Sequence, residues 1–257
     1  MPLTTSIPFY GFIPARYAST RFPGKALAEI CGKPMFWHVY TRAKKCKLFK
    51  KIYLATDHQL IFQKAQELNI PVILTSSTHK SGTDRILEAA EKLALPSESV
   101  IANIQGDEPL INPEMLKELL APFKNKDIQV TTLAKKISEK DAENPNQVKV
   151  VIDKYNFALF FSRSKIPYPR NKSNLFLGHI GLYAYRYTAL KKFACLKRGE
   201  LERIESLEQL RFLENQIPIY IVKTNYTSIG VDTPEDLEEV KQILKKQENI
   251  NESNVGS

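Results

Sequence analysis

The chain has 257 residues, of which 43% are hydrophobic and 25% are charged, and its formal net charge at pH 7 is +9. This composition is ordinary for a globular protein with a substantial core, and no apolar run is long enough to span a bilayer. The three cysteines, Cys31, Cys46 and Cys195, form no C-x-x-C pair, which argues against a disulfide framework and a zinc site. The N-terminus lacks the pattern of a signal peptide, so we expect a cytoplasmic protein without membrane insertion.

The positive charge has two possible explanations. Lysine pairs such as Lys44-Lys45, Lys50-Lys51 and Lys135-Lys136 fall near predicted helix or strand ends, where solvation or a helix C-terminus explains them. A basic balance also suits a small anionic substrate such as a nucleoside triphosphate. Because the sequence contains no recognised nucleic-acid module, we expect no nucleic-acid partner.

Strands and helices alternate through roughly the first 125 residues. The alternation predicts an α/β fold with a parallel sheet covered by helices on both sides. Asn112 followed by Pro113 is a typical helix start, with a capping side chain and proline at the first helical position. The expected strands are 7–13, 51–56, 72–75 and 100–104, and the expected helices are 35–47, 57–68, one through Ile86 to Leu93, and one from Pro113 to Phe123.

The rhythm changes after that point, because several strand patterns follow without long helices between them. We interpret them as a mixed or antiparallel extension of the sheet and not as a separate domain. Thr233 and Asp236 form a capping-box pattern at the start of the last helix. The expected strands are 130–136, 148–153, 157–163, 178–185 and 217–223; helices are expected at 187–197, at 201–214 and from Pro234, before a disordered tail at 247–257.

A basic loop follows the first strand. It carries Arg16, Arg21 and Lys25, with Gly24 directly before the lysine. Backbone N–H groups at a glycine together with nearby cations are suited to holding phosphate. The spacing fits neither a Walker A loop nor a G-x-G-x-x-G fingerprint. A solvated basic surface loop explains the same residues equally well.

Two aspartates follow predicted strands at a distance in the sequence. Asp107 follows the strand that ends near Ile104, and Asp232 lies just before the last helix. Ligands of an open parallel sheet bind beyond the carboxyl ends of its strands, so these loops and the basic loop are expected to converge. Two carboxylates there suit Mg²⁺, although Asp107 is also an ordinary turn residue and Asp232 alone is better explained as a helix cap.

Other polar residues have a binding and a structural interpretation. His179, Tyr183 and Tyr185 alternate on one strand and would share a face that binds a hydroxylated ligand, or would simply be core. Arg163 ends an aromatic strand, where its guanidinium suits a carboxylate. Ser81 either caps a helix or contacts a nucleotide. For His79 we expect solvent exposure, and for Glu205, Glu208 and Arg211 we expect salt bridging within one helix.

With these residues in view, the chain resembles the 3-deoxy-manno-octulosonate cytidylyltransferase (CMP-Kdo synthetase) family. The similar blocks span nearly the whole chain in one order. They are IPARYASTRFPGK at 13–25, ATDH at 55–58, HKSGTDR at 79–85, NIQGDEP at 103–109, NPNQVKVV at 144–151, FFSRSKIPY at 160–168, HIGLYAY at 179–185, LEQLR at 207–211 and GVDTPEDL at 230–237.

The resemblance implies a nucleotide-diphospho-sugar-transferase-like fold with a β-rich extension for dimerisation and sugar binding. It implies a homodimer that makes CMP-Kdo and pyrophosphate from CTP and Kdo for lipopolysaccharide biosynthesis, as a Mg²⁺-dependent nucleotidyltransferase. Carried over by motif, the catalytic residues are Arg16, Lys25, Asp107 and Asp232, with the two aspartates as Mg²⁺ ligands. The nucleotide-binding residues are Ala15, Arg16, Lys25, Ser81 and Gln105, and the residues facing the sugar acid are Arg163, His179, Tyr183, Glu208 and Gln209.

The sequence departs slightly from the family pattern. Ala26 replaces a frequent proline, and Lys80 and Asp84 replace a frequent Gln and Glu. We expect one domain at 1–246, with a nucleotide-binding part at about 7–125 and a sugar-binding and dimer part at about 126–215. The alternatives are a cytidylyltransferase for another sugar acid such as sialate, a basic nucleic-acid-binding protein, and a nucleotide-binding regulator without activity.

Overall fold

A computed structural model gives the structure of the chain and describes residues 7–18, 22–171 and 175–255, with side chains described as far as 247. Arg21, one of the three predicted loop cations, lies outside the described residues. The strands are β1 (Phe9–Ala15), β2 (Glu29–Ile30), β3 (Lys33–Pro34), β4 (Phe49–Thr56), β5 (Val72–Leu74), β6 (Val100–Asn103), β7 (Val130–Ile137), β8 (Lys149–Ile152), β9 (Ala158–Ser162), β10 (Phe176–Arg186) and β11 (Ile219–Lys223).

Helices alternate with these strands, and two 3₁₀ turns occur at Lys25–Leu27 and Ala121–Lys124. In the described part of the chain, no helix combines the length and apolar character needed to cross a membrane. The α-helices are α1 (Met35–Ala43), α2 (Gln59–Glu67), α3 (Gly82–Lys92), α4 (Pro113–Leu120), α5 (Glu139–Glu143), α6 (Tyr187–Ala194), α7 (Glu200–Glu205), α8 (Leu210–Glu214) and α9 (Pro234–Val255).

The chain forms two compact units, each assembled from three stretches of sequence. The single-domain assignment for residues 1–246 stays a prediction. We call Gly11–Leu93, Ile104–Pro113 and Thr227–Ser257 the first unit, and Met1–Tyr10, Ala94–Asn103 and Glu114–Tyr226 the second unit.

The first unit has the predicted βα alternation. Strands β1, β4 and β5 are successive neighbours, and β4 pairs with β5 in parallel. Phe12 and Leu54, on the first two of these strands, are completely buried, as expected for strands covered on both faces. Helices α1, α2 and α3 all contact β4. The parallel pairing and the order of elements predicted for this part of the chain are confirmed.

The second unit contains the mixed pairing expected after residue 125. Its strands follow the order β11-β7-β10-β6, with β10 antiparallel to both β7 and β6 and with β11 parallel to β7. Strand β8 pairs antiparallel with β9 and β10. A register shift between Ile180 and Tyr183 interrupts the pairing of β10 with β7. The antiparallel extension is confirmed, and the bulge within β10 was not predicted.

The helix predicted at 201–214 is wrong, because the chain forms two short helices there. Ser206 ends α7 in the left-handed region, with φ 52°. The Arg163 guanidinium and backbone N–H bind the carbonyl and carboxylate of Glu205, and these tertiary contacts hold the helix end in place. Glu208 therefore lies between two helices and not within one.

Two other differences from the predicted elements concern α5 and α9. Helix α5 was not predicted, although Ser138 and Asp141 form a capping box at its start. Helix α9 continues to Val255, although a disordered tail was predicted from residue 247 onward. Residues 245–248 are Lys, Lys, Gln and Glu, which favour helix, and neither Pro nor Gly interrupts the sequence from Glu235 to Val255.

Candidate active site

A pocket with a volume of about 340 Å³ lies within the first unit. Its walls come from the segment after β1, the segment that leads into α3, the segment after β6 and the residues before α9. This is the convergence at the ends of strands that the sequence predicted. All seven residues predicted to be catalytic or to bind the nucleotide or metal line the pocket, namely Ala15, Arg16, Lys25, Ser81, Gln105, Asp107 and Asp232.

The side chain of Lys25 links the two predicted metal ligands. Its Nζ lies 2.6 Å from Asp107 Oδ2 and 3.3 Å from Asp232 Oδ1, and it donates to the Val231 carbonyl at 2.9 Å. The Lys25 side chain is only 17% exposed, whereas those of Asp107 and Asp232 are 33% and 48% exposed. One ammonium group therefore forms ion pairs with two carboxylates that are 125 positions apart in the sequence.

The backbone around Lys25 explains why the lysine reaches this position. Gly24 has φ 70°, a left-handed conformation that glycine adopts without strain, and its N–H donates to the Tyr17 carbonyl. The Tyr17 ring stacks on His58, with centroids 4.1 Å apart. The hydrogen bond between Gly24 and Tyr17 and the stacking of Tyr17 on His58 hold the basic loop in place.

Gly106 allows the segment after β6 to pass close to the segment after β1. A Cβ at this position would lie 2.6 Å from the Pro14 carbonyl oxygen, which is closer than a Cβ contact allows. Nearby, the Ile104 N–H donates to the Phe12 carbonyl at 2.8 Å. Pro14, Gly106 and Asp107 all line the pocket, so this close approach sets the distance between the two segments that form this side of the pocket.

Asp232 is not the residue that caps α9. The Asp236 N–H donates to Thr233 Oγ1 at 3.3 Å, and the Thr233 N–H donates to Asp236 Oδ2 at 2.9 Å, which confirms the predicted capping box. The Asp232 carboxylate instead faces Lys25. In addition, the Val231 N–H donates to the Asp107 carbonyl at 2.8 Å, so the segments that carry the two carboxylates are held together by backbone.

Ser81 and Arg16 also line the pocket, each in a distinct state. Ser81 caps α3 by accepting from the Asp84 N–H at 3.1 Å, and its hydroxyl donates to Asp84 Oδ2 at 2.9 Å. The prediction that Ser81 caps a helix is therefore confirmed, and its place in the pocket is compatible with a nucleotide contact. Arg16 is exposed, which leaves its guanidinium open to solvent at the pocket wall.

Three pocket residues with basic side chains had no predicted binding role, namely His79, Lys80 and Arg85. The expectation that His79 is solvent-exposed is wrong, because its ring pairs with Glu88 and is only 22% exposed. Burial raises the pKa of Glu88, but hydrogen bonds from Lys92, the Ser76 backbone and His79 outweigh it and bring the pKa to about 2. No sequence pattern reveals this pair, because a helix start separates its members.

Arg85 is almost completely buried beside the pocket. Its guanidinium donates to Asp57 Oδ2 at 2.8 Å and to Thr75 Oγ1 at 2.7 Å. It therefore connects the end of β4 with the segment after β5. A sequence signal existed, because Arg85 precedes the buried Ala89 by four positions and so shares its helix face.

Glu108, next to Asp107, carries an unusual carboxyl group. Burial raises its pKa to about 7, the nearby Ser228 hydroxyl lowers it, and the charge of Asp107 raises it. A carboxyl group with this pKa is partly protonated at neutral pH. This pKa was not predictable from the sequence, because the effect depends on burial.

In the second unit, β10 brings together two of the residues predicted to face the sugar acid. The rings of His179 and Tyr183 lie 5.4 Å apart, and Tyr183 stacks on Tyr185 at 5.8 Å, so the predicted common face is confirmed. Thr132 Oγ1 lies 3.0 Å from His179 Nε2. Desolvation lowers the pKa of His179 to about 3, and burial raises the pKa of Tyr183 well above its usual value. Both side chains are therefore neutral at pH 7.

The other three residues of that set have different environments. The guanidinium of Arg163 donates to the carbonyls of Glu205 at 2.8 Å, Pro145 at 3.2 Å and Ser206 at 3.5 Å. Glu208 lies close enough to Tyr183 to influence it electrostatically, and Gln209 is buried.

Arg211 forms a salt bridge with a residue that was not among its predicted partners. Its Nε and Nη2 donate to the two carboxylate oxygens of Glu202 at 2.7 and 2.6 Å. Glu202 lies in α7 and Arg211 in α8, so this salt bridge links the two helices on either side of the break at Ser206.

The chain is similar to several known proteins. A family model described as Cytidylyltransferase matches residues 10–224. A 3-deoxy-manno-octulosonate cytidylyltransferase from Lawsonia intracellularis is 52% identical over 93% of this chain and 95% of its own length. One from Nitratidesulfovibrio vulgaris is 49% identical over 93% of this chain and 97% of its own length.

A solved structure described as CMP:2-keto-3-deoxy-manno-octonic acid synthetase complexed with CTP is also similar. It is 40% identical, has a TM-score of 0.89, and the similarity covers 93% of this chain and 99% of that chain. The family resemblance and the fold class predicted from the sequence are confirmed.

Proposed function

The chain belongs to the cytidylyltransferase family, and we propose that it transfers CMP from CTP to the anomeric hydroxyl of 3-deoxy-D-manno-octulosonate (Kdo). The products are CMP-Kdo and pyrophosphate, and the sugar nucleotide serves lipopolysaccharide biosynthesis. The observation that carries the proposal is one pocket lined by Arg16, Lys25, Ser81, Gln105 and the two aspartates. The named relatives supply the identity of the sugar acid.

In this proposal the pocket binds CTP mainly through its charges. Arg16 and Lys25 contact the triphosphate, while Ala15, Ser81 and Gln105 contact the cytidine part. The Lys25 ammonium, which lies between two carboxylates here, donates to phosphate oxygens when CTP is bound. Such a cation offsets the charge that develops on the pyrophosphate leaving group.

Asp107 and Asp232 would hold Mg²⁺. Their carboxylates already approach a single cation, the Lys25 ammonium, and Mg²⁺ at nucleotide sites uses one or two carboxylates together with phosphate oxygens. The described residues contain no group of three or more His, Cys, Asp or Glu side chains that would hold a metal without the nucleotide. When bound, Mg²⁺ lowers the pKa of the sugar hydroxyl and offsets charge on the phosphates.

The reaction is an in-line displacement at the α-phosphorus. The anomeric oxygen of Kdo forms a bond to this phosphorus, the bond from the phosphorus to the bridging oxygen of the β-phosphate breaks, pyrophosphate leaves with that electron pair, and the proton of the sugar hydroxyl passes to solvent water. Arg163, His179, Tyr183, Glu208 and Gln209 are proposed to face the sugar acid. His179 and Tyr183 would do so as neutral groups, because burial keeps both uncharged at pH 7.

We further propose a homodimer that works in the cytoplasm. Several large apolar side chains of the second unit are exposed, which supports a contact with another copy. They are Tyr155, Leu159, Tyr168, Leu175 and Ile204.

The test is a pyrophosphate-release assay with CTP and Kdo, run in parallel with CTP and sialate, each with and without Mg²⁺. We expect release with Kdo only, dependent on Mg²⁺. Release with sialate alone would move the proposal to another sugar acid, and CTP binding without release would favour a regulator. Asp107→Asn and Asp232→Asn should each lower turnover by on the order of 100-fold or more, while Asp127→Asn, at an exposed position, serves as the control.

A further inference from the structure

The positive charge of this protein is concentrated in one short segment. Residues 30–56 contain seven of the 37 Lys and Arg residues and none of the 28 Asp and Glu residues. The other 230 positions hold 30 cationic and 28 acidic residues, so they contribute only +2 to the net charge of +9. A general preference for basic residues would have spread this excess over the chain.

The end of this segment presents its charges on the surface. Lys44, Lys45 and Lys47 follow α1, and Lys50 and Lys51 begin β4, all of them exposed. Backbone hydrogen bonds from the N–H groups of 44, 45 and 46 to the carbonyls of 40, 42 and 43 order the turn, and buried Cys46 anchors it. We call Lys44, Lys45, Lys47, Leu48, Lys50 and Lys51 the basic patch.

Three of these lysines differ from other lysines of the chain in their ion pairing. Lys64, Lys117 and Lys241 each pair with a glutamate three positions away, but residues 30–56 offer no acidic neighbour in the sequence. Among the described residues, no ion pair involves Lys44, Lys45 or Lys47. The α1 C-terminus explains one or two cations but not five, because its dipole acts only within the last turn.

The proposed reaction does not use the basic patch either. None of its residues lines the pocket. The patch lies before and at the start of the eight-residue strand β4, whereas Asp57, bound to the pocket residue Arg85, follows the end of that strand. An extended strand of this length separates its ends by roughly 25 Å.

We propose that the basic patch docks the protein reversibly on an anionic phospholipid surface. Lysine ammonium groups on flexible stems suit a diffuse sheet of phosphate charge, which needs no fixed hydrogen-bond geometry. Leu48 lies among them and is 46% exposed, so it provides an apolar side chain for the headgroup boundary. A nucleic acid would be bound here mainly through phosphate charge, to which the apolar side chain of Leu48 contributes nothing.

The experiment is flotation of the full chain with vesicles of phosphatidylcholine, with and without 30% phosphatidylglycerol, at about 0.15 M salt. We expect binding only to the anionic vesicles, and weaker binding as salt screens the charges. The variant Lys44→Gln/Lys45→Gln/Lys47→Gln should lose on the order of 100-fold in vesicle affinity. Its matched control is Lys191→Gln/Lys192→Gln/Lys197→Gln, which removes three exposed charges around the end of α6.

A second variant separates a lipid surface from any other polyanion. Leu48→Ser should weaken vesicle binding while leaving retention on a heparin column unchanged. Absence of binding to anionic vesicles, equal losses in the two triple variants, or an unaffected Leu48→Ser variant would each overturn the proposal. Binding to RNA that is tighter than to vesicles, and lost in the Lys44 triple variant, would also overturn it in favour of nucleic acid. Turnover of CTP should be unchanged in all these variants, so the result does not depend on the proposed reaction.

Discussion

At the scale of single residues, Lys25 combines two roles that the sequence suggested separately. The sequence placed Lys25 on the triphosphate and assigned Asp107 and Asp232 to a metal, and in the structure its ammonium lies between both carboxylates. Without this cation the two negative charges would repel each other. Lys25 thus holds the carboxylates together, and if they bind Mg²⁺ as we propose, its ammonium would compete with Mg²⁺ in the absence of nucleotide.

This competition predicts the behaviour of Lys25→Met. Removal of the ammonium should raise the affinity for Mg²⁺ without CTP by several-fold, since a partly exposed ion pair contributes modestly, and should lower turnover by on the order of 100-fold. Isothermal titration with MgCl₂ measures the first effect independently of activity. Lys80→Met removes another pocket cation and should leave Mg²⁺ affinity unchanged. If Lys25→Met binds Mg²⁺ no better than the unmodified protein, the competition does not exist.

His179 predicts a pH dependence of stability. Its pKa is about 3 in the folded chain and near 6.5 when unfolded, so below pH 6.5 the unfolded chain takes up a proton that the folded chain does not. The free energy of unfolding therefore falls as the pH is lowered from 6.5, by at most about 2 kcal/mol at pH 5, since each pH unit below the unfolded pKa contributes about 1.4 kcal/mol. In His179→Phe this loss should be absent.

The measurement compares urea unfolding of both proteins between pH 5 and pH 8. Glu108 acts in the opposite direction, because its pKa of about 7 is raised above the unfolded value and protonation favours the folded chain as the pH falls. Both proteins contain Glu108, so the difference between them isolates His179. Parallel stability curves would show that His179 is not desolvated as described.

At the scale of elements, the close approach at Gly106 controls the pocket. Gly106→Ala places a Cβ 2.6 Å from the Pro14 carbonyl oxygen, so the two segments must separate. We expect a loss of about 1–3 kcal/mol in the free energy of unfolding, as for other overpacked sites. The displaced wall should also reduce kcat/KM for CTP by on the order of 100-fold, because small misplacements of binding groups are costly.

Gly230→Ala is the control for the stability change. A Cβ at Gly230 meets no atom within 4 Å, so this substitution should change the free energy of unfolding by less than about 0.5 kcal/mol. Urea unfolding and steady-state kinetics with varied CTP provide both measurements. Equal stability of the two alanine variants would contradict the role given to Gly106.

The same scale shows what the sequence could and could not predict. The pocket was predictable, because strand ends and polar loops are local patterns and parallel strands bring their carboxyl ends to one edge. The break at Ser206 was not, because the residues around it are good helix formers and the break is held by Arg163, more than 40 positions earlier. The pairing of His79 with Glu88 likewise depends on the path of a loop.

At the scale of the whole molecule, net charge was the least informative number in the sequence. The value of +9 suggested nucleic acid or a triphosphate, yet one segment of 27 residues supplies most of it. The pocket itself contains both signs, since Lys25 is balanced by two carboxylates. The distribution of charge, and not its sum, therefore distinguishes the pocket proposed to bind CTP from the surface proposed to dock on lipid.

The proposed homodimer predicts that its mass in solution depends on exposed apolar side chains of the second unit. Leu159 on β9 and Ile204 on α7 are 62% and 71% exposed, and hydrogen bonds from Ser162 and Arg163 to Glu205 tie these two elements together. Large apolar side chains gathered on elements that contact one another favour a stable interface between copies. Light scattering after size-exclusion chromatography should give twice the chain mass for the unmodified protein and the mass of one chain for Leu159→Glu/Ile204→Glu. The control Leu60→Glu introduces one glutamate at a residue of α2 that is 54% exposed, and this variant should stay dimeric. Dissociation of Leu60→Glu, or an unmodified protein with the mass of one chain, would contradict the interface.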